Sequence, residues 1–267
     1  MKINKKVIVV SGAGSGMGRE LVIQLVLKGA KVAMADLNEK GLKETETMAG
    51  AGKVSLHTLN IADRKAVEQL PEAVIAHHGA VDGIINNAGI IQPFTDMNDL
   101  DYEIIERIIN VNLYGTIYMT KAFLPHLLKR PEAHIANVSS MGGFIPFPGQ
   151  TMYSASKAAV KILTEGLYSE LKESNVGVTI IHPGAINTNI MLNSGLTSPE
   201  AEKDAKESAS HKTLAADKAA SIMIDAIEKN KFRVMVGKDA RMLDWLYRFH
   251  PKMAVNLIVK QMSKMKH

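Results

Sequence analysis

SGAGSGMG, Ser11–Gly18, follows the short apolar run KVIVV at 6–10, and its reading governs the rest of the chain. It does not spell the common dinucleotide fingerprint G-x-G-x-x-G. Counted from Gly12, that pattern requires glycine where Met17 stands; counted from Gly14, it requires glycine where Arg19 stands. The run instead carries Gly12, Gly16 and Gly18, a G-x-x-x-G-x-G spacing between a first strand and a helix beginning near Met17. A phosphate-binding turn belongs there, because a helix N-terminus offers free N–H groups and positive potential. Glycines let the backbone approach a pyrophosphate with no Cβ in the way. Alone, the run equally suits a flexible turn, so its meaning depends on its neighbours.

Short Val/Ile-rich runs recur at 6–10, 31–36, 53–59, 81–85, 133–138, 176–182 and 232–237. Helix-length stretches lie between them at 17–28, 39–49, 63–78, 101–130, 152–174 and 215–230. The short runs are continuously apolar rather than alternating, as in strands buried on both faces. This order predicts an α/β fold, a Rossmann-type doubly wound parallel sheet of about seven strands with helices on both faces. No Pro/Gly/Ser-rich linker divides the 267 residues. Residues 1–238 are therefore expected to form one domain, with a polar substrate lid inserted at 187–212 and a basic amphipathic extension at 239–267.

The chain has no cysteine, which excludes disulfides and thiolate–metal centres, and no metal site is expected. The opening MKINKK followed by VIVV imitates a secretory signal, but the continuous apolar run Val7–Val10 is too short for one. No stretch is long enough to span a bilayer, and the expected location is the cytoplasm. The net charge of +5 is unevenly spread: from Lys229 onward ten Lys and Arg stand against Asp239 and Asp244, a local balance of +8. Such an end suits a solvated helix face, an acidic partner or peripheral contact with a membrane surface. No nucleic-acid partner is expected.

Asp36 ends the second predicted strand, 18 residues after Gly18. That is close to the spacing at which a carboxylate reaches an adenosine ribose. It can accept hydrogen bonds from both ribose hydroxyls and would repel a 2′-phosphate; capping the next helix is its other use. Leu37 follows where an arginine would hold a phosphate, and Ser15 is uncharged. These choices favour NAD over NADP.

In YSASK, Tyr153 and Lys157 are four apart and share one face of a predicted helix. A tyrosine that titrates near about 10 is a poor base at neutral pH. A neighbouring ammonium and a positive nicotinamide ring favour its phenolate. Upstream, NVSSMGG places Ser139 and Ser140 at the end of one strand, and NNAG (86–89) ends another. INVNLYG puts Asn112 in the long helical segment, and HPGAINT (182–188) follows the sixth strand. Three of these groups fall at the carboxyl ends of strands, where open α/β sheets bind ligands. His182 reads as a packing residue ahead of its turn, and His211 needs no catalytic role.

Taken together and in this order, these motifs resemble the short-chain dehydrogenase/reductase family, in its compact single-domain branch, over residues 5–237. The resemblance implies that SGAGSGMG is the family's cofactor turn and that Asn112, Ser140, Tyr153 and Lys157 form a catalytic tetrad. Ser140 is preferred to Ser139 for its spacing to the tyrosine. Tyr153 would exchange the proton with the substrate oxygen, and Ser140 would hydrogen-bond that oxygen. Lys157 would hold the nicotinamide ribose and lower the tyrosine pKa, while Asn112 would distort its helix and hold a water. The resemblance also implies cofactor contacts from Gly12, Ser15, Gly16, Met17, Gly18, Asp36, Leu37, Asn60, Ile61, Asn87, Ala88, Gly89, Tyr153, Lys157, Pro183, Gly184, Ile186 and Thr188. Asn60–Ile61 departs from the family's usual Asp–aliphatic pair. The asparagine carbonyl can still accept from an adenine amino group, and Asp63 is expected to cap the following helix. Assembly as a homotetramer or homodimer on helices 101–130 and 152–174 is implied as well.

Ser140, Gln92, Phe94, Phe144, Gln150 and Met191 are the expected substrate contacts. FIPFPGQ (144–150) and IMLNSGL (190–196) are largely apolar, which suits an apolar secondary alcohol or ketone. The expected function is NAD-dependent hydride transfer on a CH–OH/C=O pair. One alternative is an NADP-dependent carbonyl or acyl-carrier reductase, against which Asp36 speaks. Another is a non-catalytic nucleotide-sensing or anionic-surface-binding protein, against which the intact tetrad speaks.

Overall fold

The run that precedes the glycines is the middle of a sheet. Val7–Ser11 (β1) is buried along its length and pairs in parallel on both sides, with Lys31–Asp36 (β2) and Gly83–Asn86 (β4). Ile8 and Val10 point into one core and Val7 and Val9 into the other. The side-chain period of two therefore leaves the strand continuously apolar. In the computed structural model, which describes residues 1–50, 52–198, 201 and 213–263, the sheet is completed by Val54–Thr58 (β3), Ala133–Val138 (β5), Val176–Pro183 (β6) and Arg233–Val236 (β9). Among the described residues its seven strands run parallel in the order β3-β2-β1-β4-β5-β6-β9. Ile186–Asn187 (β7) and Leu214–Ala215 (β8) pair separately. Each strand of the large sheet lies within its predicted run or one residue beyond it. This is a single Rossmann-like α/β domain.

One face carries Gly16–Leu27 (α1), Glu39–Ala49 (α2) and Ala216–Glu228 (α8), with Leu21, Leu25, Met223 and Ile224 in its core. The other carries Arg64–His78 (α3), Gly115–Leu127 (α5) and Thr151–Glu170 (α6), which bury Val67, Phe123, Leu127 and Leu167. Asp63 caps α3 as expected, its carboxylate accepting from the N–H groups of Lys65 and Ala66 at 3.0 and 3.3 Å. The expected single helix over 101–130 is corrected. Tyr102–Ile109 (α4) passes into a π-turn at Asn110–Tyr114 before α5 begins. Ile190–Asn193 (α7) follows β7. Lys238–Phe249 (α9) and Pro251–Ser263 (α10) come after β9, and Leu243, Ala254 and Ile258 pack on Ile145 in a third core. The chain builds outward from β1 to β3, then crosses to β4. The carboxyl ends of β1 and β4 thus flank the reversal in strand order, where such sheets leave a crevice.

Candidate active site

A cleft of about 870 Å³ opens at this reversal. Gly12, Ser15, Gly16, Met17 and Gly18 line it from the turn, and Asp36 and Leu37 from the end of β2. Asn60 and Ile61, then Asn87, Ala88 and Gly89, line it beyond β3 and β4, and Thr188 beyond β7. The glycines are sterically required. Gly12 and Gly16 adopt φ of +69° and +52°, and a Cβ on Gly18 would lie 1.8 Å from the Gly12 carbonyl oxygen. Pro183, Gly184 and Ile186 do not line this cleft. Gly184 donates its N–H to Val236 at the β6–β9 edge, and Ile186 packs on the core.

Asp36 does not cap α2. Asn38 does, accepting from the Gly41 N–H at 3.0 Å. The Asp36 carboxylate instead accepts from the N–H groups of Gly14 (2.8 Å) and Asn38 (2.9 Å), which fixes it at the cleft edge. The nearby guanidinium of Arg19 is committed elsewhere, to the Gly14 carbonyl at 2.6 Å, Glu44 at 2.7 Å and Thr45 Oγ1 at 3.1 Å. Asn60 Oδ1 accepts from the Ala62 N–H at 3.0 Å and keeps a second lone pair for a ligand.

Sequence reasoning missed part of the rim. Glu103, Glu106, Arg107 and Asn110 line the cleft from α4 and its π-turn. Their spacing of three, four and seven along a helix was the available signal. Asn193 was also missed: its Nδ2 donates to Ser15 Oγ at 2.8 Å, tying α7 to the glycine turn. Ser194 Oγ accepts from the Ile91 N–H at 2.9 Å. Residues 199–200 and 202–212 of the expected lid, His211 included, lie outside the described residues.

Three observations test whether the residues fit a dinucleotide. The glycine cradle has no room for a side chain at Gly18. The first turn of α1 receives no side-chain cap from Ser15, which leaves its N–H groups for a ligand. Asn87 Oδ1 is buried without a partner beside the cleft, while its amide nitrogen donates to the Ser11 carbonyl at 3.0 Å. The residues present fit a nicotinamide dinucleotide.

Of the four expected catalytic residues, Lys157 and Asn112 lie behind the cleft wall at Gly89, while Ser140 and Tyr153 lie together beside Gly142, and none of the four lines the cleft directly. A Cβ on Gly89 would meet Lys157 Nζ at 2.9 Å and Asn112 Oδ1 at 3.2 Å. Asn112 is fully buried and pinned to the chain beyond β4. Its Oδ1 accepts from the Ile90 N–H and its Nδ2 donates to the Ile90 carbonyl, both at 2.9 Å, and also to Ser156 Oγ at 3.0 Å. The π-turn that carries it is the local distortion expected at this residue. Lys157 is buried and donates to the Val138 carbonyl at 3.0 Å; burial pushes its pKa down to about 8. Ser140 ends the loop after β5, where its Oγ accepts from the Gly142 N–H at 3.0 Å. Ser139 is bound to structure instead, donating to the Lys157 carbonyl at 2.7 Å.

Burial raises the Tyr153 pKa, and the Ser140 side chain opposes that shift; the expected lowering involves a bound nicotinamide ring as well as Lys157. His182 packs as expected: fully buried, edge-on to Phe144, with Nδ1 donating to the Ser140 carbonyl at 3.0 Å. Desolvation lowers its pKa to about 4 and keeps it neutral.

Three expected substrate contacts do other work. Gln92 is fully buried: its Oε1 accepts from the Met152 (2.9 Å) and Tyr153 (3.0 Å) N–H groups, and its Nε2 donates to the Gly149 carbonyl at 3.0 Å. It therefore supplies the N-terminal cap that Gln150, at the cap position of α6, does not. Gln150 Nε2 donates back to the Gln92 carbonyl at 2.7 Å. Phe144 lies among the third core and lines a separate groove with Arg233 and Tyr247. Phe94 is exposed and Met191 half-buried. Asn86, the first residue of NNAG, is buried in a polar ladder, donating to Thr120 Oγ1 at 3.1 Å and Asn137 Oδ1 at 2.8 Å.

The comparisons with known proteins agree with this architecture. Residues 6–198 match the short chain dehydrogenase family, and the chain belongs to this family of short-chain dehydrogenases/reductases, which are oxidoreductases. It is 36% identical over 265 residues to SadH of Mycobacterium tuberculosis, which is named as an oxidoreductase, covering 97% of this chain and 96% of that one. A short-chain dehydrogenase/reductase of Burkholderia phymatum, solved in complex with NAD, has a TM-score of 0.82 at 26% identity, covering 93% of this chain and 96% of that one. One from Burkholderia cenocepacia, solved with NADP, has a TM-score of 0.80 at 25% identity, covering 97% and 99%. A nicotinamide cofactor follows from the family. Its 2′-substituent does not.

Proposed function

We propose that the protein is an NAD-dependent oxidoreductase acting on an apolar secondary alcohol or ketone. Support for NAD rests on Asp36, whose carboxylate is fixed at the cleft edge by two backbone N–H groups. A carboxylate there accepts from a ribose diol and repels a 2′-phosphate. The Arg19 guanidinium beside Asp36 is already bound to Glu44.

In this reading Gly12, Gly16 and Gly18 let the backbone meet the pyrophosphate, Asn60 meets the adenine, and Asn87, Gly89 and Thr188 meet the nicotinamide half. When bound, the nicotinamide accepts or supplies the hydride. Tyr153 gives its phenolic proton to the substrate oxygen during reduction and takes it back during oxidation. Ser140 donates a hydrogen bond to that oxygen and stabilises its developing charge. Lys157 holds the cofactor ribose and, when protonated, draws the phenol toward ionisation. Asn112, locked to Ile90, holds a water that links Lys157 to solvent. The half-buried α7 covers the substrate. Exposed Tyr102, Tyr114, Leu128 and Ile162 on α4–α6 are the surfaces on which subunits would meet, in a protein read here as cytoplasmic.

Tyr153→Phe tests the chemistry. Turnover is expected to fall by at least about 1,000-fold with NADH affinity within about twofold of the parent. Undiminished turnover contradicts the mechanism.

A further inference from the structure

The α9–α10 hairpin is not used by this chemistry, and its two sides differ. The inner side packs Leu243, Ala254 and Ile258 on Met141, Phe144, Ile145 and Phe147, the segment that follows Ser140. The outer side leaves Met242, Trp245, Phe249 and Met253 between 52% and 63% exposed. Met242, Trp245 and Phe249 stand three and four apart on α9 and form one stripe, and the rings of the last two lie 5.3 Å apart.

Cations border the stripe: Lys238, Arg241, Arg248 and Lys252 are all exposed. The hairpin's carboxylates are committed. Asp244 pairs with Arg233 at 2.8 Å and Arg248 at 3.2 Å, and Asp239 accepts from the Ala185 N–H at 2.7 Å. α10 carries no acid. Among the described residues Lys238, Arg241 and Lys252 form no ion pair.

Aromatic and thioether side chains ringed by uncompensated cations match the chemistry of an anionic lipid interface. We propose that the outer face of the α9–α10 hairpin docks on an anionic bilayer, with Trp245 and Phe249 entering the headgroup layer. A second copy of the chain is the poorer occupant, since a two-fold contact through this stripe opposes one set of cations to the other. The inner side of the hairpin holds the segment that follows Ser140, so docking sets the proposed chemistry beside the bilayer, a direct source of apolar alcohol or ketone. That consequence rests on the proposed function; the docking does not.

Trp245 is the only tryptophan in the chain, so its emission reports the stripe directly. The full chain is mixed with vesicles of phosphatidylcholine alone or with about 30% phosphatidylglycerol. On the anionic vesicles the emission is expected to shift to the blue and to be quenched by brominated lipid. Co-sedimentation is expected to exceed that with neutral vesicles by at least about tenfold. The triple change K238Q/R241Q/K252Q lowers it on the order of 100-fold. Trp245→Ser with Phe249→Ser abolishes it, with NADH binding retained as the control for folding. No shift and no co-sedimentation, or equal binding to both vesicles, overturns the proposal. So does a parent that ignores vesicles while the double variant loses subunits, which assigns the stripe to a second copy.

Discussion

The glycine turn at Gly12–Gly18 is built mainly from backbone, and the surroundings of Tyr153 and Lys157 from buried side chains. At Gly12–Gly18 steric limits decide: positive φ values and a Cβ with nowhere to go. At α6 one amide side chain, Gln92, meets the two N–H groups that begin the helix bearing Tyr153. The first kind of site tolerates almost no substitution but signals itself in the sequence. The second hides among ordinary polar residues, because its partners are remote in the chain.

Substitution in each region probes that contrast. Gly18→Val should be the most damaging change. Overpacking against the Gly12 carbonyl costs about 3 kcal/mol or more and should remove NADH binding; a variant that melts like the parent and binds NADH would contradict the cradle. Gln92→Ala should act on the other side of the contrast. Letting the start of α6 drift is expected to cut kcat about 100-fold while NADH affinity changes by no more than about twofold. Equal losses in kcat and NADH affinity would mean general destabilisation instead.

Acid should also separate the two regions. His182 beneath Ser140 and His134 on β5 have folded-state pKa values of about 4 and about 3, lowered chiefly by desolvation. The unfolded chain therefore binds more protons than the folded one below the ordinary value of 6.5. Their contribution to stability is complete above that pH and is lost as pH falls toward 4, so urea midpoints should decline over that window. A flat profile would show that these imidazoles are not buried neutral. Asn60→Asp should have the smallest effect: a carboxylate accepting from the adenine amino group tightens NADH by about threefold. An unchanged affinity in a titration would remove Asn60 from the adenine contact.

The fold was legible because strands buried on both faces write continuous apolar runs, as at Val7–Val10 and Ala133–Val138. The glycine turn and Asp36 were legible because steric and charge requirements act on residues close in sequence. The distortion at Asn112 was expected from the family resemblance, but its partner, the distant Ile90 backbone, was not legible in the sequence. Gln92 and Gln150 stood where substrate contacts belong, yet their amides turn into the protein to satisfy the helix end. Asn86 could be read only as the end of a strand beside Asn87, and the neighbouring strand and α5 reveal its buried partners.

Fluorescence titration of the unmodified protein with NADH and NADPH tests the proposed cofactor most directly. With the Asp36 carboxylate at the cleft edge and Arg19 already paired, NADH should bind at least about tenfold more tightly. Equal or tighter binding of NADPH would contradict the assignment.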